Sequence, residues 1–152
     1  MAGDRELQPL PSVDELNALS PGAFPAHVGF RVVTAEVGRV RAELEVAPHL
    51  HAPNGYLHAG VVVTLADTAC GYGVRTCLPV GASGFTTIEL KANFLGTALV
   101  GAIHVVAALV HGGKRTQVWD ATVRAGRLPA VPAESDGGRV LALFRCTQMV
   151  LW

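Results

Sequence analysis

The chain has 152 residues with 12 basic and 12 acidic side chains, and half of its residues are hydrophobic. That length suits one ordinary domain with a real core and no need of disulfides or a structural metal. Ten of the twelve basic residues are arginines, scattered and forming no stripe, which argues against a nucleic-acid or membrane-surface protein; no apolar run approaches the roughly 18–20 residues that span a bilayer.

The opening segment, MAGDRELQPLPSVDELNALS, lacks the apolar core of a signal peptide. Residues 1–11 read as a loose, proline-containing tail. Ser12 followed by Glu15 fits a capping box for a short helix over about residues 13–19, stopped by Pro21-Gly22. Residues 1–22 are therefore expected to form a tail with a short helix, ahead of a single domain over 23–152.

FRVVTAE reads as a strand and Val37-Gly38 as a turn. RVRAELEVA then alternates, with Val40, Ala42, Leu44 and Val46 on one face and Arg39, Arg41, Glu43 and Glu45 on the other. That pattern predicts a half-buried antiparallel strand. After a loop from Pro48 to Tyr56, the stretch from about His58 to Arg75 is too long for one strand. It predicts a buried helix of about 16 residues, apolar nearly all round.

Strand follows strand thereafter. FTTIELKANF is expected to place Thr86, Ile88, Leu90, Ala92 and Phe94 on one face; GAIHVVAALV is apolar on both faces apart from His104. RTQVWDATVR sends Trp119, Ala121 and Val123 one way and Asp120, Thr122 and Arg124 the other. GRLPAVPAESDGG is an exposed, irregular connection before a last strand, GRVLALFRCTQMVLW. Two strands, one helix and four more strands exclude a doubly wound βαβ fold and predict an α+β protein, with an antiparallel sheet wrapped around a central helix. The surplus apolar surface of GAIHVVAALV points to a homo-oligomer, a dimer at the least.

Three cysteines (Cys70, Cys77, Cys146) form no CxxC pair and read as reduced thiols of a cytoplasmic chain. Six histidines show no zinc spacing, so no metal site is expected. The chemistry concentrates in NGYLHAGVVVTLADTACGYG, residues 54–73, where Asp67 interrupts an apolar helix. A structural acid would bond a backbone group or pair with Arg75. A poised carboxylate is also what a nucleophile or general base requires, and an unpartnered buried one is costly. Thr64 and Thr68 flank it and offer hydrogen bonds without counter-charge. A helix starting near His58 presents free N–H groups suited to polarising a carbonyl oxygen. Nine residues separate His58 from Asp67, roughly 13 Å along one helix. That span favours a site in which the helix N-terminus of one subunit approaches Asp67 of another.

The same stretch resembles the signature of hotdog-fold acyl-CoA thioesterases, in particular the phenylacetic-acid-pathway (PaaI-like) and 4-hydroxybenzoyl-CoA thioesterase group. Gly55, His58, Gly60 and Asp67 fall on its positions, and the resemblance extends over about residues 27–148. It implies a hotdog fold, a curled antiparallel sheet around a long helix, assembled into dimers and often tetramers. It implies that Asp67 attacks the thioester or activates water, and that the Ala59 N–H polarises the carbonyl. His58 is implied as the residue that ties the loop to the helix. Asn54 is implied to position a group in the pocket, although the family's Asn or Gln stands six residues before the His, at Ala52 here. The family's His-Gly-Gly is His58-Ala59-Gly60 in this chain. Relatives also orient water with a Ser or Thr of the next strand, leaving Ser83, Thr86 and Thr87 open.

Lys114, Arg115 and Arg75 are candidates for the phosphates of coenzyme A, which enters as part of an acyl-CoA substrate; no separate cofactor is implied. Two other functions remain open on this fold: an acyl-thioester hydratase or dehydratase, if His58 faces the substrate, and a non-catalytic acyl-CoA-binding homo-oligomer.

Overall fold

A computed structural model describes residues 6–130 and 136–152. Residues 6–11, expected to be loose, are docked instead. Gln8 donates its backbone N–H to Leu78 O at 2.8 Å and its side-chain amide to Ala82 O at 2.8 Å. The capping box forms as the sequence predicts, with Glu15 N–H donating to Ser12 Oγ and Ser12 N–H to Glu15 Oε2. Helix α1 (Val13–Asn17) is shorter than predicted. Asn17 exchanges two hydrogen bonds with the backbone of Val32, which ties the helix end to the first strand. A four-residue helix, α2 (Phe24–His27), follows.

Strands β1 (Arg31–Glu36) and β2 (Arg39–Val46) form a hairpin turning at Gly38, whose φ of +74° suits glycine. After a 3₁₀ turn (Pro48–Leu50) comes the long helix α3 (Ala59–Thr76), then β3 (Gly84–Phe94), β4 (Gly101–Gly112), β5 (Thr116–Ala125) and β6 (Val140–Leu151). The strands make one antiparallel sheet in the order β1-β2-β4-β5-β6-β3. Helix α3 lies on one face and touches all six strands. Leu65, Ala66, Ala69, Cys70 and Val74 of the helix are buried with Ile103, Val105, Trp119 and Val123 of the sheet.

The expected curled sheet wrapped around the helix is not what forms. The sheet is open: β1 pairs only with β2 and β3 only with β6, so the two edges never meet. Geometry explains this, because even about eight strands close a barrel only wide enough for side chains. A helix about 10–12 Å across would not fit inside six. The apolar faces of helix and sheet meet instead as two layers, an α+β hotdog-like arrangement.

The helix approaches the sheet closely where side chains are absent. A Cβ added at Gly73 would lie 2.5 Å from the ring of Trp119, which is fully buried. The apolar strand β4 is also explained within the chain: it lies between β2 and β5, with Ala102, Ile103, Val105 and Ala107 buried. The exposed apolar edge belongs to β3, where Ile88, Leu90 and Phe94 are 42–49% exposed.

Strand β2 departs from simple alternation, since Arg41 and Glu43 are buried as well as the apolar series. Arg41 pairs with Asp136 at 2.9 Å, while Glu43 accepts from Arg31 at 2.6 Å, from Arg127 at 3.3 Å and from the Leu128 N–H at 3.4 Å. The flanks of the connection expected to be exposed thus reach onto β2; Asp136 is buried, and residues 131–135 lie outside the described residues.

Candidate active site

The helix N-terminus is built by its own cap. His58 has extended backbone (φ −64°, ψ 131°), donates its N–H to Leu50 O at 3.0 Å, and accepts the Gly60 N–H on Nδ1 at 2.8 Å. With Nδ1 as the acceptor, the ring N–H is on Nε2. Gly60 is required by this geometry, since a Cβ there would fall 2.9 Å from Nδ1. Ala59 needs no glycine-like backbone, as no non-glycine residue has positive φ among the described residues. Its exposed N–H finds no backbone or side-chain acceptor among those residues. Ala59 therefore carries the uncapped donor of this first turn, since the Gly60 N–H goes to His58 Nδ1 and the Val61 N–H to His58 O.

Asp67 is half-buried two turns further on. Thr87 donates its hydroxyl to Asp67 Oδ1 at 3.0 Å, and the carboxamide of Gln148 on β6 lies 3.1 Å from the same hydroxyl. Burial pushes the Asp67 pKa up, while the Thr87 hydrogen bond and the Gln148 carboxamide behind it pull it part of the way back. No ion pair reaches Asp67 among the described residues, so Arg75, exposed in the last turn of α3, does not neutralise it. Thr64 is not its donor either, because its hydroxyl bonds Gly60 O one turn back at 2.7 Å.

A register slip selects Thr87. The pairing of β3 with β6 shifts between Thr87 and Glu89, so Ile88 is the extra residue of a bulge. Thr87 pairs with Gln148 and Leu90 with buried Cys146, whereas Thr86 pairs with Met149 on the other face. The expected single face of Thr86, Ile88, Leu90, Ala92 and Phe94 is therefore broken at the bulge. Of Ser83, Thr86 and Thr87, only Thr87 hydrogen-bonds Asp67.

Other candidates remain apart. Asn54 is exposed and accepts the Tyr56 N–H on Oδ1 at 3.2 Å, a local turn that builds the loop before the cap. Lys114 and Arg115 are exposed on the β4–β5 turn. No group of three or more His, Cys, Asp or Glu side chains clusters as a metal would need among the described residues. The three cysteines are free and buried, and no helix of the described residues is long and apolar enough to cross a membrane.

Gln148 was not legible as a site residue. Its signal is a polar side chain in the inward series Ala142, Phe144, Cys146, Val150 of the last strand, where a fully buried amide needs a partner.

A helix laid on a six-stranded antiparallel sheet, with a half-buried acid on the helix, is an α+β hotdog-like arrangement. Residues 54–129 match the thioesterase superfamily, and the chain belongs to that family. A 1,4-dihydroxy-2-naphthoyl-CoA hydrolase of Listeria monocytogenes is 32% identical over 120 residues, spanning 79% of this chain and 89% of its own length. Among solved structures, a variant of the thioesterase PA1618 from Pseudomonas aeruginosa is similar with a TM-score of 0.81 and 26% identity, covering 95% of this chain and 97% of that one. A thioesterase family protein from Silicibacter pomeroyi gives a TM-score of 0.76 and 32% identity, over 91% and 95% of the two chains.

Proposed function

We propose that the protein is an acyl-CoA thioesterase of the PaaI-like group that hydrolyses an aryl or medium-chain acyl thioester to the free acid and coenzyme A. The observation that carries this reading is Asp67, a half-buried carboxyl held by a neutral donor and paired with no cation among the described residues. An ionised Asp67 serves two routes. It can take a proton from water, whose oxygen bonds the carbonyl carbon as the C–S bond breaks and the thiolate leaves. It can also attack that carbon itself, breaking the C–S bond and releasing the thiolate to give a mixed anhydride that water then opens to the free acid and Asp67. In either route negative charge grows on the carbonyl oxygen, and the Ala59 N–H at the positive end of α3 is suited to receive it.

Along one helix Ala59 and Asp67 are about 12 Å apart, too far for a single carbonyl. The unpaired, apolar edge of β3 supports pairing with a second copy, which would set two helices side by side and antiparallel. The Ala59 amide of one subunit then faces Asp67 of the other, and the site is shared. Lys114, Arg115 and Arg75, all exposed, are the cations available to the coenzyme phosphates. Asn54 lies in the loop beside the cap, where its amide nitrogen remains available to substrate. The aryl preference rests on the name of the Listeria relative, an aromatic acyl-CoA hydrolase.

His58 does not support the hydratase reading, since its Nδ1 is engaged by the Gly60 N–H as a helix cap. The test is a panel of aromatic, short and long acyl-CoAs assayed for thiol release. Turnover of aromatic or medium acyl-CoAs is expected; no release from any member would overturn the reading in favour of a binding protein.

A further inference from the structure

Gln148 is fully buried; its Oε1 stands 3.1 Å from Thr87 Oγ1 and its Nε2 donates to Cys146 Sγ at 3.3 Å. Thr87 Oγ1 lies 3.0 Å from Asp67 Oδ1. A hydroxyl has one proton to donate. If the amide oxygen faces Thr87, two oxygens compete for that proton. If the amide nitrogen faces Thr87, the chain runs one way: Nε2–H to Oγ1, the Thr87 hydroxyl to Asp67, and the Cys146 thiol to Oε1. Which end of a carboxamide faces which partner is decided by the hydrogen-bond network. An ionised Asp67 satisfies every group only in the second arrangement. A protonated Asp67 fits the first, donating to Thr87, which donates to Oε1, while Nε2–H turns to the Cys146 sulfur. The two charge states of Asp67 thus select opposite orientations of one buried amide.

We propose that Gln148 is a positioning residue whose carboxamide, acting through Thr87, fixes the direction of this chain and holds Asp67 ionised and in one rotamer. The proposal rests on the reading of Asp67 as the reacting acid. Packing alone does not account for a glutamine here, because an apolar side chain between Cys146 and Val150 would avoid burying an amide. Nor does an opposite charge do the work. Among the described residues, the titratable groups bearing on the cluster are the acids Cys70 from α3, Cys146 from β6, Glu89 from β3 and Asp120 from β5, while the cation beside them, Arg145, is exposed and bonded to Asp120. Stabilising the carboxylate is therefore left to neutral donors, and Thr87 can donate reliably only if Gln148 donates to it.

The test compares the wild-type protein with Gln148→Leu, and with Gln148→Met should the branched side chain fail to fold. Steady-state hydrolysis is followed against pH, and the Asp67 carboxyl carbon is titrated by NMR without substrate. The variants are expected to lose roughly tenfold or more in kcat, part of the ~10²–10⁴ that a positioned base contributes, with KM within about twofold. Their acid limb and the Asp67 titration both move to higher pH. An unmoved limb and titration, or a loss confined to KM, would overturn the proposal. Absence of hydrolysis by the wild-type protein would instead remove the thioesterase reading. The titration alone would then judge the chain: an upward movement supports it, and an unmoved midpoint refutes it.

Discussion

Replacing Asp67 by Asn separates charge from structure. The asparagine has nearly the same volume, and its oxygen can still accept the Thr87 hydroxyl, so the 3.0 Å bond survives. What disappears is the ability to take a proton or attack a carbonyl. A positioned base contributes about 10²–10⁴ in rate. The D67N variant is therefore expected to lose at least a hundredfold in kcat, about 2.7 kcal/mol of barrier at 1.36 kcal/mol per decade. Stability should move the other way. In the unfolded chain Asp67 titrates near its ordinary 3.8, and burial raises it in the fold. The folded state then holds more protons through that window, so stability falls as pH rises across it, and the deficit persists at neutral pH. Asparagine carries no such deficit. D67N is expected to unfold at the same or a higher temperature than wild type at pH 7, with the advantage vanishing below about pH 3. Thiol release and thermal unfolding at both pH values test this. Turnover within tenfold of wild type, or activity lost together with stability at pH 7, would show that Asp67 acts as a structural acid.

Wild-type activity against pH should show an acid limb above the ordinary aspartate range, because only the ionised acid reacts and burial disfavours it; a limb at or below 3.8 would contradict the site. Gly60→Ala drives a Cβ against His58 Nδ1 and breaks the cap. The lost cap, about 0.5–2 kcal/mol, is largely offset by the helix preference of alanine, about 1 kcal/mol. Melting should shift by only a few degrees while kcat falls about tenfold or more; unaltered kcat would separate the cap from the chemistry. Asp136→Ala leaves the buried Arg41 without its 2.9 Å partner, at about 3–5 kcal/mol. A fall of roughly 6–20 °C in melting temperature is expected, read by calorimetry. Ile88→Lys charges the free edge of β3. Sedimentation should show a wild-type dimer or larger and a monomeric, inactive variant; a fully active monomer would refute the shared site.

Legible along the chain were the order of the strands and the long helix, the capping box at Ser12, a buried helix from about His58 to Arg75, which forms over Ala59–Thr76, and the isolation of one acid within it. Each is written in local chemistry: a cap spacing, an apolar run too long for a strand, a carboxylate without a nearby cation. Periodicity also read β2 and β5 correctly on their inward faces, because side-chain alternation is fixed by the backbone. What it could not fix is anything carried by pairing between distant segments. The bulge at Ile88 turns Thr87 toward Asp67, and no count along β3 reveals a residue added against β6. Sequence order placed β4 among surplus apolar strands, whereas the sheet puts it in the interior and leaves β3 at the edge. The open sheet follows likewise from the width of a packed helix, a three-dimensional quantity. Gln148, 81 residues beyond Asp67 in the chain, joins it only through the partners that strand pairing supplies.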